Sequence, residues 1–280
     1  MDLDGGDHHN GQGFDLAAAL LAFAPEFATY IAAQVVLFVP CLVLVRRLHP
    51  DHKDPWELAD LFFSTALFPV MTWSAMVGSW RLRADVALRW HGVVPESQFF
   101  MMLYTTRATL HCLLQCKMRM SWSHFVLMTL HHILSMLCYS GGVLLQSMHF
   151  WGCLDGCCEM STIFLNNMYL FKEVKLGGRE LRQVLPAWVY AANGLFLWLS
   201  FLVFRILLFP LWLCLWYRDV SLSPETTWDR STYIECYLYP AVTVFLFILS
   251  AYWFVPVTKG LLKALGLAGK KDPQEGVKKE

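Results

Sequence analysis

Charged residues are scarce in this sequence. They make up 16% of its 280 residues, against roughly 25% in an ordinary soluble domain. A chain this poor in charge cannot coat a water-facing surface, which excludes a soluble globular fold. No N-x-S/T acceptor for N-glycosylation occurs. Met1–Gly13 contains three Asp and no Lys or Arg. It therefore lacks the positive start of a secretory signal, and the first apolar stretch is expected to remain as a helix. No C-x-x-C pair is present among the nine cysteines. A cysteine metal site is thus not expected, and these thiols read as small packing residues. Walker, G-x-S-x-G, H-E-x-x-H and EF-hand patterns are also missing, so no nucleotide cradle, serine nucleophile or metal centre is expected. Formal net charge is zero, which gives no basis for a nucleic-acid partner.

What the sequence has in abundance is apolar length. Hydrophobic residues reach 56% and collect in seven segments: Phe14–Val45, Pro55–Trp80, Gln98–Cys116, Ser121–Met148, Phe150–Phe171, Leu185–Tyr217 and Thr232–Thr258. A helix needs about 20 apolar residues to cross a ~30 Å hydrocarbon core. The expected fold is an all-α polytopic membrane protein with about seven transmembrane helices. The sixth segment is too long for an upright span, so Pro210 is expected to kink or end it, or the helix to lean. Trp56, Trp80, Trp122, Trp151, Trp188, Trp216 and Trp253 fall near segment ends, where headgroup-level indoles are expected.

The basic residues orient the chain. With the N-terminus outside, fifteen Lys and Arg fall in inner loops and the tail and five in outer loops; Arg107 and Arg205 lie within the membrane. This asymmetry predicts a non-cytoplasmic N-terminus and a cytoplasmic C-terminus. Residues 1–13 form a short acidic head, 14–45 the first helix, 55–260 the main helical domain, and 268–280 a charged tail expected to be disordered.

Ionisable groups in hydrocarbon are costly and mark cavities or partners. On the fourth segment His124, Met128, His131 and Ser135 share one helical face. The adjacent His132 diverges from His131 by about 100°, so both can border one pocket. On the fifth segment Asp155, Glu159, Thr162 and Asn166 repeat the same spacing, with Ser161 and Asn167 beside them. Two carboxylates one turn apart repel, so at least one is expected to be protonated or paired, the available partners being Arg107 with His111 on the third segment and Arg205 on the sixth. The alternative is a polar clamp that fixes helix packing and binds nothing. The only Lys near the seventh segment, Lys259, lies at its end, which speaks against a mid-membrane Schiff base.

The stretch Leu130-His131-His132-Ile133-Leu134, followed by Glu159-Met160-Ser161-Thr162-Ile163-Phe164-Leu165-Asn166-Asn167, resembles the TLC domain. That domain is shared by translocating-chain-associating membrane proteins, ceramide synthases and the neuronal ceroid-lipofuscinosis protein of the endoplasmic reticulum. Arg205 in Phe201-Leu202-Val203-Phe204-Arg205 looks like the arginine found late in it. The resemblance covers roughly residues 55 to 260 and is closer to the members that are not ceramide synthases. It implies a TLC-type bundle in the endoplasmic reticulum, with a lipid-binding cavity formed by Arg107, His111, Ser135, Ser161, Thr162, Asn166, Asn167 and Arg205. It also implies a role in phospholipid or sphingolipid homeostasis, with membrane lipids as partners and no cofactor. Two other functions follow from the same family. A ceramide-synthase-like N-acyltransferase would take acyl-CoA as co-substrate, with His131 or His132 as base and Asp155 or Glu159 as orienting acid. The H-D-x-x-D cluster of those enzymes is not reproduced, since position 158 is Cys and neither acid follows a His. A cargo-sorting or translocation accessory protein would instead bind membrane or secretory proteins.

Overall fold

A computed structural model describes residues 15–264. The acidic head and the charged tail lie outside the described residues. The long helices are α1 (Leu16–Leu48), α2 (Pro55–Leu82), α4 (Pro95–Gln115) and α5 (Trp122–Leu145), with short α3 (Val86–His91) between α2 and α4. There follow α6 (His149–Gly156), α7 (Glu159–Glu173), a two-stranded β-hairpin of β1 (Lys175–Leu176) and β2 (Arg179–Glu180), and one-turn α8 (Leu181–Val184). The remainder is α9 (Ala187–Phe201), a π-helical turn (Leu202–Leu207), α10 (Leu208–Leu222) and α11 (Tyr233–Ala264).

Helix starts follow local chemistry. Asp15, Asp54, Asp85 and Ser121 each accept a backbone N–H of the first turn of α1, α2, α3 and α5, and Pro55 and Pro95 occupy first-turn positions that need no N–H. Between the strands, Gly177 (φ +58°) and Gly178 (φ +80°) supply the left-handed backbone of a tight hairpin.

Among the described residues five helical units are long and apolar enough to cross a membrane: α1, α2, α5, the continuous Ala187–Leu222 unit and α11. Their outer faces carry bare Leu21, Val36, Trp73 and Leu211, a feature suited to lipid and ill suited to water. Of the seven expected segments, the third and fifth do not reach that measure. The third, α4, is central and polar, with Met101, Thr106, Arg107 and Gln115 all buried. The fifth is not one helix: it breaks at Cys157–Cys158 into α6 and α7. A segment ringed by other helices needs no uniformly apolar surface.

The sixth segment runs unbroken for 36 residues. Pro210 lacks an N–H and crowds the carbonyl four residues earlier, and the π turn just before it widens the helix where that strain falls. Two of the tryptophans expected at headgroups are instead fully or nearly fully enclosed: Trp151 and Trp216 join Trp90 and Trp212 in an aromatic core. Trp212 and Trp216 stack with centroids 4.9 Å apart, and the Trp212 indole donates to the Trp151 carbonyl at 3.1 Å. Beside this core Arg89 donates to both Asp219 oxygens at 2.6 and 2.7 Å. Together these lock α3, α6 and α10 into a plug at the end of the bundle away from the basic loops. Since lipid is as apolar as these side chains, close contact and polar pairing hold the helices, more than hydrophobic burial does.

Candidate functional site

A cavity of about 880 Å³ lies among α2, α4, α5, α7, α9 and α11. Its rim includes His52, His124, Lys172 and Glu173 at the basic end, with His52 Nε2 3.3 Å from Glu173 across the opening. From Trp122 to His131 along α5 is nine residues, or about 14 Å at 1.5 Å each. The polar groups therefore sit deep in the bundle, roughly midway along a helix of this length.

One side of the deep end is built by α2 and α4. Arg107 Nη2 donates to both Asp60 oxygens at 2.9 and 2.8 Å and to Ser64 Oγ at 2.6 Å. His111, one turn along α4, sets Nδ1 3.0 Å from Asp60 Oδ2. One carboxylate thus holds a guanidinium and an imidazole, both buried or nearly so. His111 meets His132 edge to face at 4.9 Å, His132 meets His131 at 5.1 Å, and His131 approaches Trp253 of α11 at 6.3 Å. These three imidazoles form a row across the cavity wall.

The other side is built by α7 and the π turn. Arg205 Nε donates to Ser161 Oγ at 2.7 Å, and Arg205 Nη2 to Thr162 Oγ1 at 3.1 Å. The Thr162 hydroxyl in turn donates to Glu159 Oε2 at 2.6 Å, with Arg205 Nη2 3.9 Å from that oxygen. Thr162 therefore bridges acid and base. Two features permit this. The helix break at Cys157–Cys158 makes Glu159 the first residue of α7, where the helix dipole favours a carboxylate. The π turn, a feature that often marks functional positions, carries Arg205.

Of the residues expected from sequence, Arg107, His111, His131, His132, Glu159, Ser161, Thr162, Asn166 and Arg205 all line this one cavity. Three stand apart. Asp155, on the far side of the break, accepts from Thr243 Oγ1 of α11 at 3.0 Å and acts as an inter-helix clamp. Asn167 donates to Asn193 of α9 at 3.2 Å. Ser135 is buried on α5, off the cavity wall. Asp60 and Ser64 were missed. The signal was a single Asp one and a half turns into an apolar segment that already faced an intramembrane Arg.

Chemically the wall offers preformed ion pairs, three imidazoles and a hydroxyl bridge. Neither His131 Nδ1 nor either ring nitrogen of His132 has a hydrogen-bond partner among the described residues. An unsatisfied buried donor or acceptor costs about 1–3 kcal/mol, so these rings are not explained by folding alone. Among the described residues no group of three or more His, Cys, Asp or Glu is placed to hold a metal ion. The nine cysteines are all free thiols.

A helical bundle with five units, among the described residues, long and apolar enough to cross a membrane, and with a cavity that holds polar groups at its deep end, defines a polytopic membrane protein. The TLC domain model matches residues 56–259, and the chain belongs to that family. No match is found among curated proteins or among solved structures.

Proposed function

We propose that this TLC-domain protein acts in membrane lipid homeostasis by holding the polar head of a long-chain lipid in the cavity, beside His131 and His132. The observation that carries this reading is the cavity itself. At about 880 Å³ it lies within the ~300–1,000 Å³ range of small-molecule sites, and its blind end groups unpaired imidazoles with two arginine–carboxylate pairs. Apolar wall residues such as Leu61, Phe68, Leu197 and Leu261 suit an acyl chain. A protein that acted only by sorting cargo would have no use for such a space. By the charge asymmetry the mouth opens to the cytoplasm, and by family resemblance the membrane is that of the endoplasmic reticulum.

An acyltransferase reading has one observation in its favour. Asp60 and His111 make the carboxylate–imidazole contact that orients a general base, whereas His131 and His132 have no such partner among the described residues. Under that reading His111 is the base and acyl-CoA the co-substrate.

Native mass spectrometry of the protein purified in mild detergent tests the proposal. Wild type retains a long-chain lipid, and His131→Ala/His132→Ala reduces its occupancy at least tenfold. Wild type emerging without lipid overturns it. Turnover of acyl-CoA, lost in His111→Ala, would establish the second reading.

A further inference from the structure

We infer that the deep end of the cavity selects a lipid whose head carries no net charge and is rich in oxygen acceptors, such as an acylglycerol or an acylated alcohol or amide. This rests on the lipid-holding reading above and narrows it to a class of head. Two independent features of the wall lead there.

The first is charge balance. The formally charged side chains at the deep end are Asp60 and Glu159 against Arg107 and Arg205. Each acid already faces one arginine: Arg107 Nη2 lies 2.8 Å from Asp60 Oδ2, and Arg205 Nη2 lies 3.9 Å from Glu159 Oε2 with Thr162 between. All four are nine-tenths or more buried. A head with a full charge would enter a medium of low dielectric where the described residues offer no free counter-charge to meet it, and an uncompensated buried charge is strongly disfavoured.

The second is the kind of atom left without a partner. Among the enclosed side-chain atoms of the described wall residues these are Arg107 Nε and Nη1, Gln115 Nε2, His131 Nδ1, both nitrogens of His132, and Asn166 Nδ2. Every one is nitrogen. Guanidinium and amide nitrogens only donate, while imidazole nitrogens can donate or accept. Among such enclosed atoms, unpaired oxygens occur elsewhere, as at Gln34 and Asp155, and none belongs to a described residue of this wall. These enclosed nitrogens are therefore left without acceptors. Carbonyl, ester and hydroxyl oxygens supply them once these packed side chains turn toward an occupant. A long-chain amine fails on both counts, because it adds donors and a positive charge. A phosphate or carboxylate head supplies acceptors but breaks the charge balance.

The test is competition in detergent micelles at pH 7. Full-length protein is given equal amounts of dioleoylglycerol, dioleoylphosphatidate, oleate and oleylamine, and bound lipid is read by native mass spectrometry. Dioleoylglycerol is expected to exceed each charged lipid at least tenfold. Glu159→Gln leaves Arg205 its bonds to Ser161 and Thr162 while removing one negative charge, so the preference should swing at least tenfold toward phosphatidate or oleate. Asp60→Asn removes the other acid and should swing it the same way, a second reading if one variant folds poorly. Wild type preferring a charged lipid, or both folded variants keeping the wild-type order, overturns the selection while leaving lipid binding intact. Retention of no lipid from any class removes the lipid-holding reading itself.

Discussion

Asp60 and Arg107 offer the sharpest energetic test. The carboxylate takes two contacts from Arg107 Nη2 at 2.8 and 2.9 Å and one from His111 at 3.0 Å, and both charged side chains are about 95% enclosed. Removing one partner of a buried pair leaves an uncompensated charge and costs about 3–5 kcal/mol. Individual polar contacts between membrane helices average only about 0.6 kcal/mol, because the unfolded helices find other partners in the bilayer. The charge left behind outweighs that discount here, since Arg107 would keep only Ser64 as an acceptor, with His111 at 3.4 Å. Asp60→Leu and Arg107→Met should therefore each destabilise by about 3 kcal/mol, the low end of the range. Replacing both together removes the stranded charge, and such swaps are often neutral, so the double variant should return to within ~1 kcal/mol of wild type. The assay is a double-mutant cycle on SDS-titration unfolding in fixed mixed micelles. Single variants each within ~1 kcal/mol of wild type, or a double variant as weak as the sum of the singles, would refute the reasoning. Lipid retention separates structure from function: a stable double variant that holds lipid as well as wild type would make the pair a packing clamp and nothing more.

Other outcomes follow from particular contacts. His132→Phe removes a ring with no hydrogen-bond partner among the described residues, so stability should hold or rise by about 1–3 kcal/mol while bound lipid falls at least tenfold by native mass spectrometry. Gly156→Ala would drive a methyl into the Phe100 ring, whereas at Gly141 a methyl meets nothing within 4 Å. The first should cost about 1–3 kcal/mol as overpacking, and Gly141→Ala should cost nothing measurable in the same titration. Trp212→Ala opens the aromatic core and should cost about 3–5 kcal/mol. For orientation, a variant keeping Cys116 as its only cysteine, exposed next to the α4–α5 turn, should react with a membrane-impermeant maleimide from the cytoplasmic face. Labelling from the other face would invert the topology.

How far the site could be read from sequence depended on whether each feature was local. The i, i+3, i+7 spacing of Glu159, Thr162 and Asn166 is local, and it placed all three on one cavity wall. The same spacing extended one turn too far back to include Asp155. Periodicity assumes an unbroken helix, and the break at Cys157–Cys158 carries Asp155 to Thr243 on α11. The divergence of His131 and His132 by about 100° is likewise a helix property, and both rings border the cavity. Pairing is not local. Arg107 and Arg205 were recognisable as intramembrane charges, yet their division between Asp60 and Glu159 depends on which helices become neighbours. Helix count met the same obstacle. Apolar run length predicted about seven spans; among the described residues five units have the length and apolarity of a crossing helix, while α4 and the α6–α7 pair carry polar groups of the site. The burial of Trp151 and Trp216 belongs here too, since position near a segment end says nothing of which neighbours arrive there.

The most direct measurement is a high-resolution cryo-electron microscopy map of the full chain in nanodiscs made from endoplasmic reticulum lipid. The account predicts elongated density entering past His124 and Lys172, ending against His131 and His132, with Asp60–Arg107 and Glu159–Arg205 still paired beside it. A cavity that is collapsed, or filled only by water with these side chains turned out toward the bilayer, would contradict it.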